Sequence, residues 1–394
     1  MKTLSQSPVD PSFVQNPYPF YERARATGAF FYWDDYKLIC TPKAAACNAI
    51  FRDRRFGREA PAELTPVIAE HLKPFYHVEA HSMLELEPPR HTRLRGLVLR
   101  AFTSRRIAAL GPEIAQLTHE LIDALPNEPF DLLAHFGQKL PVIIIARLLG
   151  VPETMAPDLL RWSNAMVGMY MAGRSRETED QAVGATKAFV AFLRHYIEER
   201  RAKPADDLIT SLIAAEEAGE KLSTDELITT CILLLNAGHE ATVHTIGNGV
   251  KTLLETCSPP DCVGPDNIDA CVEEIFRFDP ALHMFTRWAY EDVEVMGHHF
   301  KRGDQVALLL GAANRDPASW DMPDVFQPLR APKPHLTFGA GLHFCVGAPL
   351  ARLELQVALP ILFGRKPKLR LAEAPQFNNV YHFHGLKALV VRVD

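Results

Sequence analysis

A cysteine flanked by glycines lies just before a predicted helix in the last quarter of the chain. Cys345 follows Gly339 and Gly341 and precedes Gly347, and residues 349–363 have the composition of a helix. Glycines allow a tight loop with positive φ, and the proline at 349 is tolerated in a first helical turn. Because unpaired N–H groups and the helix dipole stabilise negative charge there, the position favours a thiolate, which can act as a nucleophile or as a metal ligand.

The residues alone leave three other interpretations of Cys345 open. A lone cysteine is usually a packing residue. We expect that role for the other six: Cys40, Cys47, Cys231, Cys257, Cys262 and Cys271. A zinc site with His343 is disfavoured, because the two residues are only two apart and no second Cys-x-x-Cys accompanies them. A cysteine protease would need a base held beside the sulfur.

A long predicted helix carries an acid and a glycine at its middle. Residues 223–226 read Ser-Thr-Asp-Glu, which fits a capping box, and no proline interrupts residues 227–255. A helix of that length spans on the order of 45 Å. Gly238 costs helix stability and Glu240 is expensive to bury. The helix therefore either reaches the surface here or leaves a groove where another group approaches its backbone.

Most of the remaining sequence has apolar residues at helical spacing. Helices are predicted over residues 105–125, 140–149, 182–201 and 206–218. Residues 29–41 alternate around Asp34-Asp35 and predict a hairpin, and short strands are predicted at 293–296, 305–310 and 388–393. The fold class predicted is mainly α with small β-sheets. We expect one domain over residues 1–394, with its β-rich portion at about 28–60, 282–312 and 376–394.

Composition excludes several classes of protein. The chain has 394 residues, 47% hydrophobic and 23% charged, with a net charge of −6. This mild acidity argues against a nucleic-acid partner, and no apolar run approaches the roughly 20 residues that span a bilayer. The first residues lack a signal-peptide core, and the scattered cysteines do not form a disulfide framework. We expect a soluble, cytoplasmic protein with no membrane partner and with reduced thiols.

The motif Phe338-x-x-Gly341-x-His343-x-Cys345-x-Gly347 resembles the heme-binding loop of the cytochrome P450 family. Glu274-Ile275-Phe276-Arg277 resembles the family's Glu-x-x-Arg motif, with Arg330 as the matching downstream arginine. Ala237-Gly238-His239-Glu240 looks like the family's central helix above the heme. Two shorter matches occur in family order: Phe102-Thr103 and Asn314-Arg315-Asp316-Pro317. The resemblance covers roughly residues 15 to 394.

The resemblance implies a heme b cofactor (iron protoporphyrin IX) with Cys345 as the axial iron ligand. A thiolate ligand donates electron density and favours O–O cleavage. Phe338 would cover the ligand side of the ring, and Gly347 lets another group approach closely. The heme propionates need cationic or hydrogen-bonding partners. The matching family positions hold His91, Arg95, Arg287 and His343, although a solvated basic face is the usual role of such residues.

Glu274, Arg277 and Arg330 have a structural role by the same resemblance. Glu274 and Arg277 share a helix face, so they can pair. We assign the pair, with Arg330, to folding and heme retention rather than to chemistry. Loss of one partner would leave the other charge buried and unpaired, which carries a large penalty.

The chain departs from the family at the distal helix. Most members follow the acid, here Glu240, with a threonine whose hydroxyl helps to deliver protons, but this chain has Ala241. Thr242 is about 100° further around the helix and should not replace that threonine directly. We expect an ordered water or a substrate hydroxyl to relay the proton, or else poor coupling. The retained Glu240, without an arginine in the motif, disfavours a fatty-acid peroxygenase.

The family positions also predict a substrate pocket. Its expected lining is Leu233, Ala237, Ala241, Leu282, His283, Phe285 and Phe383. Only His283 among them is polar, which suggests an apolar substrate such as a terpenoid, a steroid-like or an aromatic compound.

The predicted function is a heme-dependent monooxygenase that hydroxylates or epoxidises an apolar small molecule with O2. An external ferredoxin, served by an NAD(P)H-dependent reductase, would supply the electrons. The basic residues expected to contact it are Arg93, Arg100, Arg105, Arg106 and Arg352. An equal interpretation is that these arginines are scattered, solvated surface residues. The alternatives are a family member that couples or isomerises without inserting oxygen, and a heme-thiolate binding or sensor protein without turnover.

Overall fold

The computed structural model describes residues 1–171, 173–217, 222–256 and 260–393. Its α-helices are α1 (Pro11–Gln15), α2 (Tyr18–Arg25), α3 (Ala44–Arg52), α4 (Lys73–Glu79), α5 (Arg90–Ala101), α6 (Ser104–Ala109), α7 (Gly111–Asp123), α8 (Lys139–Leu149), α9 (Ala156–Val167), α10 (Arg176–Ala202), α11 (Leu208–Glu217), α12 (Thr224–Glu255), α13 (Ile268–Phe278), α14 (Leu310–Ala313) and α15 (Ala348–Arg365). The strands are β1 (Lys2–Leu4), β2 (Phe31–Trp33), β3 (Leu38–Thr41), β4 (Phe56–Gly57), β5 (Phe130–Asp131), β6 (Met284–Ala289), β7 (Val293–Val295), β8 (His298–Phe300), β9 (Gln305–Leu309), β10 (Arg370–Leu371), β11 (Gln376–Phe377), β12 (Leu386–Ala388) and β13 (Val390–Arg392).

The helices follow the apolar periodicity of the sequence. Helices α8, α10 and α11 confirm three of the predictions, although residue 218, at the end of the third, lies outside the described residues. The predicted helix 105–125 is instead divided into α6 and α7. Pro112 lacks an N–H and is accommodated only in the first turn of a helix, so a new helix begins beside it.

The capping box at the start of α12 is confirmed. Ser223 N–H donates to Glu226 Oε2 at 2.9 Å, and Glu226 N–H donates to Ser223 Oγ at 3.2 Å. These two reciprocal bonds satisfy donors that a helix start otherwise leaves unpaired. The helix then runs for 32 residues, through the glycine and the acid at its middle.

The largest sheet joins distant parts of the chain. Its strand order is β1-β2-β3-β9-β6-β4. The hairpin predicted at 29–41 is confirmed by the antiparallel pairing of Phe31 with Cys40. Strand β9 pairs parallel with β3 and antiparallel with β6, where Arg287 lies opposite Val306. Strands β1, β5 and β10 fall outside the predicted β-rich ranges, because two- and three-residue strands give no alternation pattern. The fold class, mainly α with small β-sheets, is confirmed.

The contacts divide the chain into two compact units. The first consists of Met1–Leu64, Ala115–Gly137 and Ala241–Asp394, and the second of Thr65–Ile114 and Gln138–Glu240. All the described strands belong to the first unit, whereas the described elements of the second are helical. A single domain over the whole chain stays a prediction. Among the described residues, no helix is both long enough and apolar enough to cross a bilayer.

Candidate functional site

Cys345 lies in a tight loop immediately before α15, as predicted. One helical turn, Gly341–His343, precedes it, and Gly347 is the N-cap residue of the helix. The Cys345 N–H donates to the Phe338 carbonyl at 3.0 Å, which closes the loop around the turn. The Cys345 residue is exposed. An accessible cysteine therefore lies beside the N-terminus of an 18-residue helix.

The other described cysteines have the packing role that the sequence predicts. Five of them are buried: Cys40, Cys47, Cys231, Cys262 and Cys271. Burial raises the pKa of Cys231 to about 12 and holds that thiol in its neutral form. Cys257 lies outside the described residues. Cys345 is thus the one cysteine among the described residues that is accessible to a ligand.

Gly341 lies at a point of the loop where no side chain could be accommodated. Its φ is +70°, and a Cβ atom built on it would lie 2.1 Å from the Phe51 carbonyl oxygen. Gly339 has a similar φ of +67°, but its Cβ would meet nothing closer than 3.8 Å. Both positions favour glycine for their backbone conformation, and only Gly341 is also confined by a backbone atom.

We expect Gly341→Ala to lower heme content much more than Gly339→Ala. The two variants carry the same kind of backbone strain, so their difference measures the clash with Phe51. The measurement is the heme-to-protein ratio after identical purification, with the thermal midpoint as a second readout. Equal losses in the two variants would show that the close approach to Phe51 does not shape the loop.

Phe338 forms a packed aromatic base for the loop. It is 9% exposed, and its ring centroid lies 4.7 Å from that of Phe276 and 5.6 Å from that of His335. The guanidinium of Arg352 lies 4.6 Å from the same ring. Phe276 belongs to α13 and Arg352 to α15, so one aromatic side chain joins the loop to two helices.

A charged cluster that the sequence did not predict lies beside Phe338. Glu273 accepts from Arg352 and is 3.2 Å from His335 Nε2. Burial alone would raise the pKa of Glu273, but the proximity of His335 and the hydrogen bonds from Arg352 outweigh burial and bring that pKa down to about 2. The Glu273 carboxylate is therefore charged at neutral pH and offsets the charge of Arg352.

The Glu274–Arg277 pair is buried and bidentate, as the motif predicts. Arg277 Nε and Nη2 each donate to a Glu274 carboxylate oxygen at 2.7 Å, and the two residues are 1% and 3% exposed. Arg330 Nε donates to the same carboxylate at 3.1 Å. Arg277 Nη1 also donates to the carbonyls of Asn314 and Pro323, both at 2.9 Å. The three charged side chains thus hold α13 against residue 314 and against residues 323–330.

A short relay of hydrogen bonds connects this network with the cysteine loop. Asn314 Nδ2 donates to Thr337 Oγ1 at 2.8 Å, and Thr337 Oγ1 donates to the Phe276 carbonyl at 2.7 Å. Asn314 Oδ1 accepts from the Leu336 N–H at 2.7 Å. Thr337 directly precedes Phe338. A change that displaces Asn314 would therefore also displace the start of the cysteine loop. Thr337 carried no sequence signal, because a lone threonine is common in any loop.

Arg287 places a cation in the same unit as Cys345. It is 3% exposed on β6, its Nη1 donates to the Thr286 carbonyl at 2.8 Å, and its guanidinium lies 5.0 Å from the Phe51 ring. Phe285, two residues before Arg287, is half-buried and packs near Phe51. A guanidinium has five N–H donors and cannot lose its charge, so a buried one is suited to an anionic ligand.

His91 and Arg95 belong to the second unit. Both are on α5, and they share a helix face because they are four residues apart. His91 is 1% exposed and Arg95 is half-buried. The neighbouring Arg93 faces elsewhere and pairs with Glu226. His343, in the first unit, is half-buried within the turn of the cysteine loop.

Helix α12 has an accessible stripe of small or apolar residues along a largely buried surface. Leu233, Ala237 and Ala241 are spaced four apart, and they are respectively half-buried, exposed and half-buried. Gly238 faces α8, where a Cβ atom would lie 2.8 Å from Ile145 Cγ1. The close approach at this glycine therefore comes from a neighbouring side chain, and the stripe beside it consists of small and apolar residues.

The polar residues of α12 divide between accessible and buried positions. Glu240 is half-buried, with Oε2 3.7 Å from Nε2 of His239, and His239 Nδ1 bonds the Leu235 carbonyl at 2.7 Å. Thr242 is 5% exposed, consistent with its different direction around the helix. Thr245 Oγ1 donates to the Ala241 carbonyl at 2.7 Å. No hydroxyl therefore projects from position 241 itself.

The predicted pocket residues after α13 have two different environments. Leu282 and Phe383 form an isolated antiparallel bridge, and both are half-buried. His283 is 0% exposed and its Nδ1 lies 2.6 Å from the Tyr21 hydroxyl. His283, the polar residue predicted for the pocket wall, thus contacts Tyr21 inside the first unit. Contact of these pocket residues with a substrate stays a prediction.

The first unit contains donors that fit a heme. Cys345 is an exposed residue whose thiolate is a suitable iron ligand, and Phe338 supplies a packed apolar surface behind the loop. Arg287 supplies a buried cation of the kind that a propionate requires. The arrangement combines a soft ligand, aromatic packing and a fixed positive charge, which together can hold an anionic iron macrocycle.

Comparison with known proteins agrees with this geometry. The family model described as Cytochrome P450 matches residues 68–256 and 268–365. The chain is 34% identical to the biotin biosynthesis cytochrome P450 of Bacillus subtilis (strain 168) over 100% of both chains. It is 34% identical to the cytochrome P450 monooxygenase PikC of Streptomyces venezuelae over 96% of this chain and 92% of that one.

The solved structures give the same result. The structure of P450BioI in complex with hexadec-9Z-enoic acid ligated acyl carrier protein has a TM-score of 0.90 and 34% identity. The match covers 97% of this chain and 100% of that one. Sequence and fold agree over nearly the whole length. The chain therefore belongs to the cytochrome P450 family, and it is a monooxygenase that binds heme b.

Proposed function

We propose that Cys345 is the axial ligand of the heme iron and that the enzyme hydroxylates or epoxidises an apolar small molecule. The observation that carries the ligand assignment is the exposure of Cys345 in a closed loop at the start of α15, where the described cysteines elsewhere are buried. When bound, the heme supplies the oxygen-activating chemistry, which a thiolate ligand favours.

Each proposed contact residue has a separate task. Phe338 excludes water from the ligand side, and Gly347 lets the macrocycle approach the backbone at the helix start. Arg287 and Arg95 pair with the propionates, while His91 and His343 donate hydrogen bonds to them. The absorption spectrum and the heme content of single variants test these roles, since a lost propionate contact weakens retention without changing the iron ligand.

Proton delivery is assigned to Glu240 and to a hydroxyl that comes from water or from the substrate. The accessible stripe on α12 ends at Ala241, and the nearest threonine hydroxyls do not fill that position. Thr242 is buried, and Thr245 is bonded to the Ala241 carbonyl. Glu240 can hold a proton at its carboxylate and exchange it with an ordered water, but the last transfer needs a donor beside position 241.

We expect Ala241→Thr to raise coupling several-fold, measured as product formed per reduced nicotinamide consumed. The added hydroxyl supplies the donor that position 241 lacks. Ala241→Val is the matched control, because valine has nearly the same shape as threonine and no hydroxyl. Coupling that rises equally in both variants would show a steric effect, and unchanged coupling in Ala241→Thr would show that the substrate or water already serves this position.

The proposed substrate is an apolar compound of moderate size. Leu233, Ala237 and Ala241 offer only small or hydrocarbon side chains, and Leu282 and Phe383 add further apolar surface. The P450BioI structure contains an acyl chain carried by a protein, so free and carrier-linked apolar acids belong in the test. A screen for the low- to high-spin change of the ferric protein identifies the class, and terpenoids, steroids and aromatic compounds complete the panel.

Oxidative coupling or isomerisation without oxygen insertion is the second candidate. Ala241 favours it, because a reaction that does not cleave and insert oxygen has less need of a proton donor at that position. Labelling with oxygen-18 gas separates the two. One labelled atom in the product supports insertion, and an unlabelled product supports coupling or isomerisation.

We propose that the electrons come from a separate ferredoxin with an NAD(P)H-dependent reductase. Among the five arginines considered for its contact, Arg100 and Arg105 are exposed, whereas Arg93, Arg106 and Arg352 pair with carboxylates of this chain. At least three of the five charges are therefore offset within this chain. A reduction rate that falls steeply with added salt supports electrostatic docking of an acidic partner, and a salt-independent rate contradicts it.

A further inference from the structure

A buried cluster of one carboxylate and two imidazoles lies beside the start of β6. Asp279, His283 and His384 each offer one ligand atom, and these atoms lie within 4.8 Å of one another. The three residues are 6%, 0% and 1% exposed, respectively. Polar side chains in such a position need partners, because an unsatisfied buried donor or acceptor destabilises the fold.

The hydrogen bonds around His283 occupy one of its two ring nitrogens. The Tyr21 hydroxyl donates to Tyr381 Oη at 2.9 Å, and the same Tyr21 oxygen lies 2.6 Å from His283 Nδ1. Nε2, the other nitrogen of this fully buried ring, is therefore the one left for a further ligand.

His384 brings a second imidazole to the cluster. Its Nε2 lies 3.4 Å from Asp279 Oδ1. Within the described part of the chain, neither His283 Nε2 nor His384 Nδ1 has a hydrogen-bond partner. Metal binding requires a lone pair on an imidazole nitrogen, and each of the two buried rings has one nitrogen that the fold leaves without a partner.

Neighbouring groups hold the three ligands in place. Asn248 Nδ2 donates to the His384 carbonyl at 2.9 Å and to the Asp279 carbonyl at 3.3 Å. The Tyr18 hydroxyl donates to Asp279 Oδ1. The His384 ring stacks on Phe377 with centroids 3.7 Å apart. The Tyr18 bond orients a ligand side chain, as outer hydrogen bonds do in known metal sites, whereas the Asn248 bonds fix the backbone at Asp279 and His384.

We propose that Asp279, His283 and His384 bind a divalent first-row cation of the zinc type. Atoms within 4.8 Å of one another share a point at most roughly 2.8 Å from each, and zinc binds nitrogen and oxygen at about 2.0–2.2 Å. Side-chain movements of less than about 1 Å close that difference. Two imidazoles and one carboxylate are borderline donors that suit zinc, and they leave a fourth position for water.

Two features of the surroundings bear on the affinity for an ion. The Asp279 side chain is the least buried of the three, with 9% of its surface accessible. The nearby cation of Arg315 lowers the affinity, but it lies 3.3 Å from the Tyr18 ring centroid and 3.6 Å from Asp324 Oδ1. The Tyr18 ring and the Asp324 carboxylate thus offset part of the Arg315 charge. A bound ion would tie α2, the start of β6 and the turn before β12 together through Tyr21 and the two histidines.

Zinc titration of the heme-loaded, full-length protein tests the proposal. After EDTA treatment and dialysis against ZnCl2, we expect one zinc per heme iron by elemental analysis. A free zinc concentration about 100-fold above Kd should raise the thermal midpoint by about 3 °C. His283→Gln/His384→Gln should lose both effects. Asp279→Asn keeps the shape and an acceptor for Tyr18, and it should weaken zinc binding at least tenfold; the heme spectrum of each variant reports its folding.

A surface histidine pair provides the matched control. His77 and His81 lie one helical turn apart with ring centroids 4.9 Å apart, and the His77 side chain is 62% exposed. Such a pair takes up zinc adventitiously, so His77→Gln/His81→Gln should leave the stoichiometric zinc and the thermal shift intact. The proposal is overturned if wild type binds no zinc, if the surface variant loses it, or if folded Asp279→Asn binds it as tightly as wild type.

Discussion

Replacing Cys345 by serine is expected to abolish the red-shifted Soret band of the reduced, carbon monoxide-bound protein. That band is the signature of thiolate ligation, and serine offers a hydroxyl in nearly the same volume. Cys345 is exposed, so the substitution disturbs no core packing. The loop bond from its N–H to the Phe338 carbonyl involves only backbone atoms and is retained. The reduced carbon monoxide difference spectrum measures the change.

Cys47→Ala is the control for loss of a sulfur atom elsewhere. Cys47 is a fully buried residue of α3, and its Sγ lies 3.7 Å from the Thr41 carbonyl oxygen. This variant should lose some stability, because it removes buried volume, yet keep the band. A Cys345→Ser protein that retains the wild-type spectrum would remove Cys345 as the ligand and leave the family assignment intact.

Local sequence patterns predicted the parts of the site that depend on neighbours along the chain. The glycines around Cys345 and the helix after it are set within about ten residues, and so is the shared face of Glu274 and Arg277. The capping box of α12 is equally local. In each case a few backbone dihedrals and one helix geometry decide the arrangement.

Contacts between distant residues could not be predicted in this way. His283 reads as a pocket residue by position, but Tyr21 at a separation of 262 residues holds it inside the unit. Gly238 packs on Ile145, whose position depends on how two helices meet. The Asp279–His384 contact joins residues 105 positions apart, and no periodicity encodes it. These features arise from tertiary packing, which a single sequence does not specify at the level of side chains.

Replacing Arg277 by methionine is expected to cost about 3–5 kcal/mol of folding free energy. The change leaves the Glu274 carboxylate buried without its bidentate partner and deprives the carbonyls of Asn314 and Pro323 of a donor. Because Asn314 also bonds Thr337 at the start of the cysteine loop, heme retention should fall together with stability. Denaturant unfolding and the heme-to-protein ratio measure the two effects.

Arg161→Met is the matched control, since Asp158 and Arg161 have the same i,i+3 spacing on a helix. That pair is exposed, with 46% and 65% of the side chains accessible, so its loss should cost no more than about 1 kcal/mol. Adding Glu274→Gln to Arg277→Met should recover part of the stability, because the unpaired buried charge is removed. A double variant less stable than Arg277→Met would show that Arg330 alone satisfies the Glu274 carboxylate and that the network acts through Arg330 rather than through the pair.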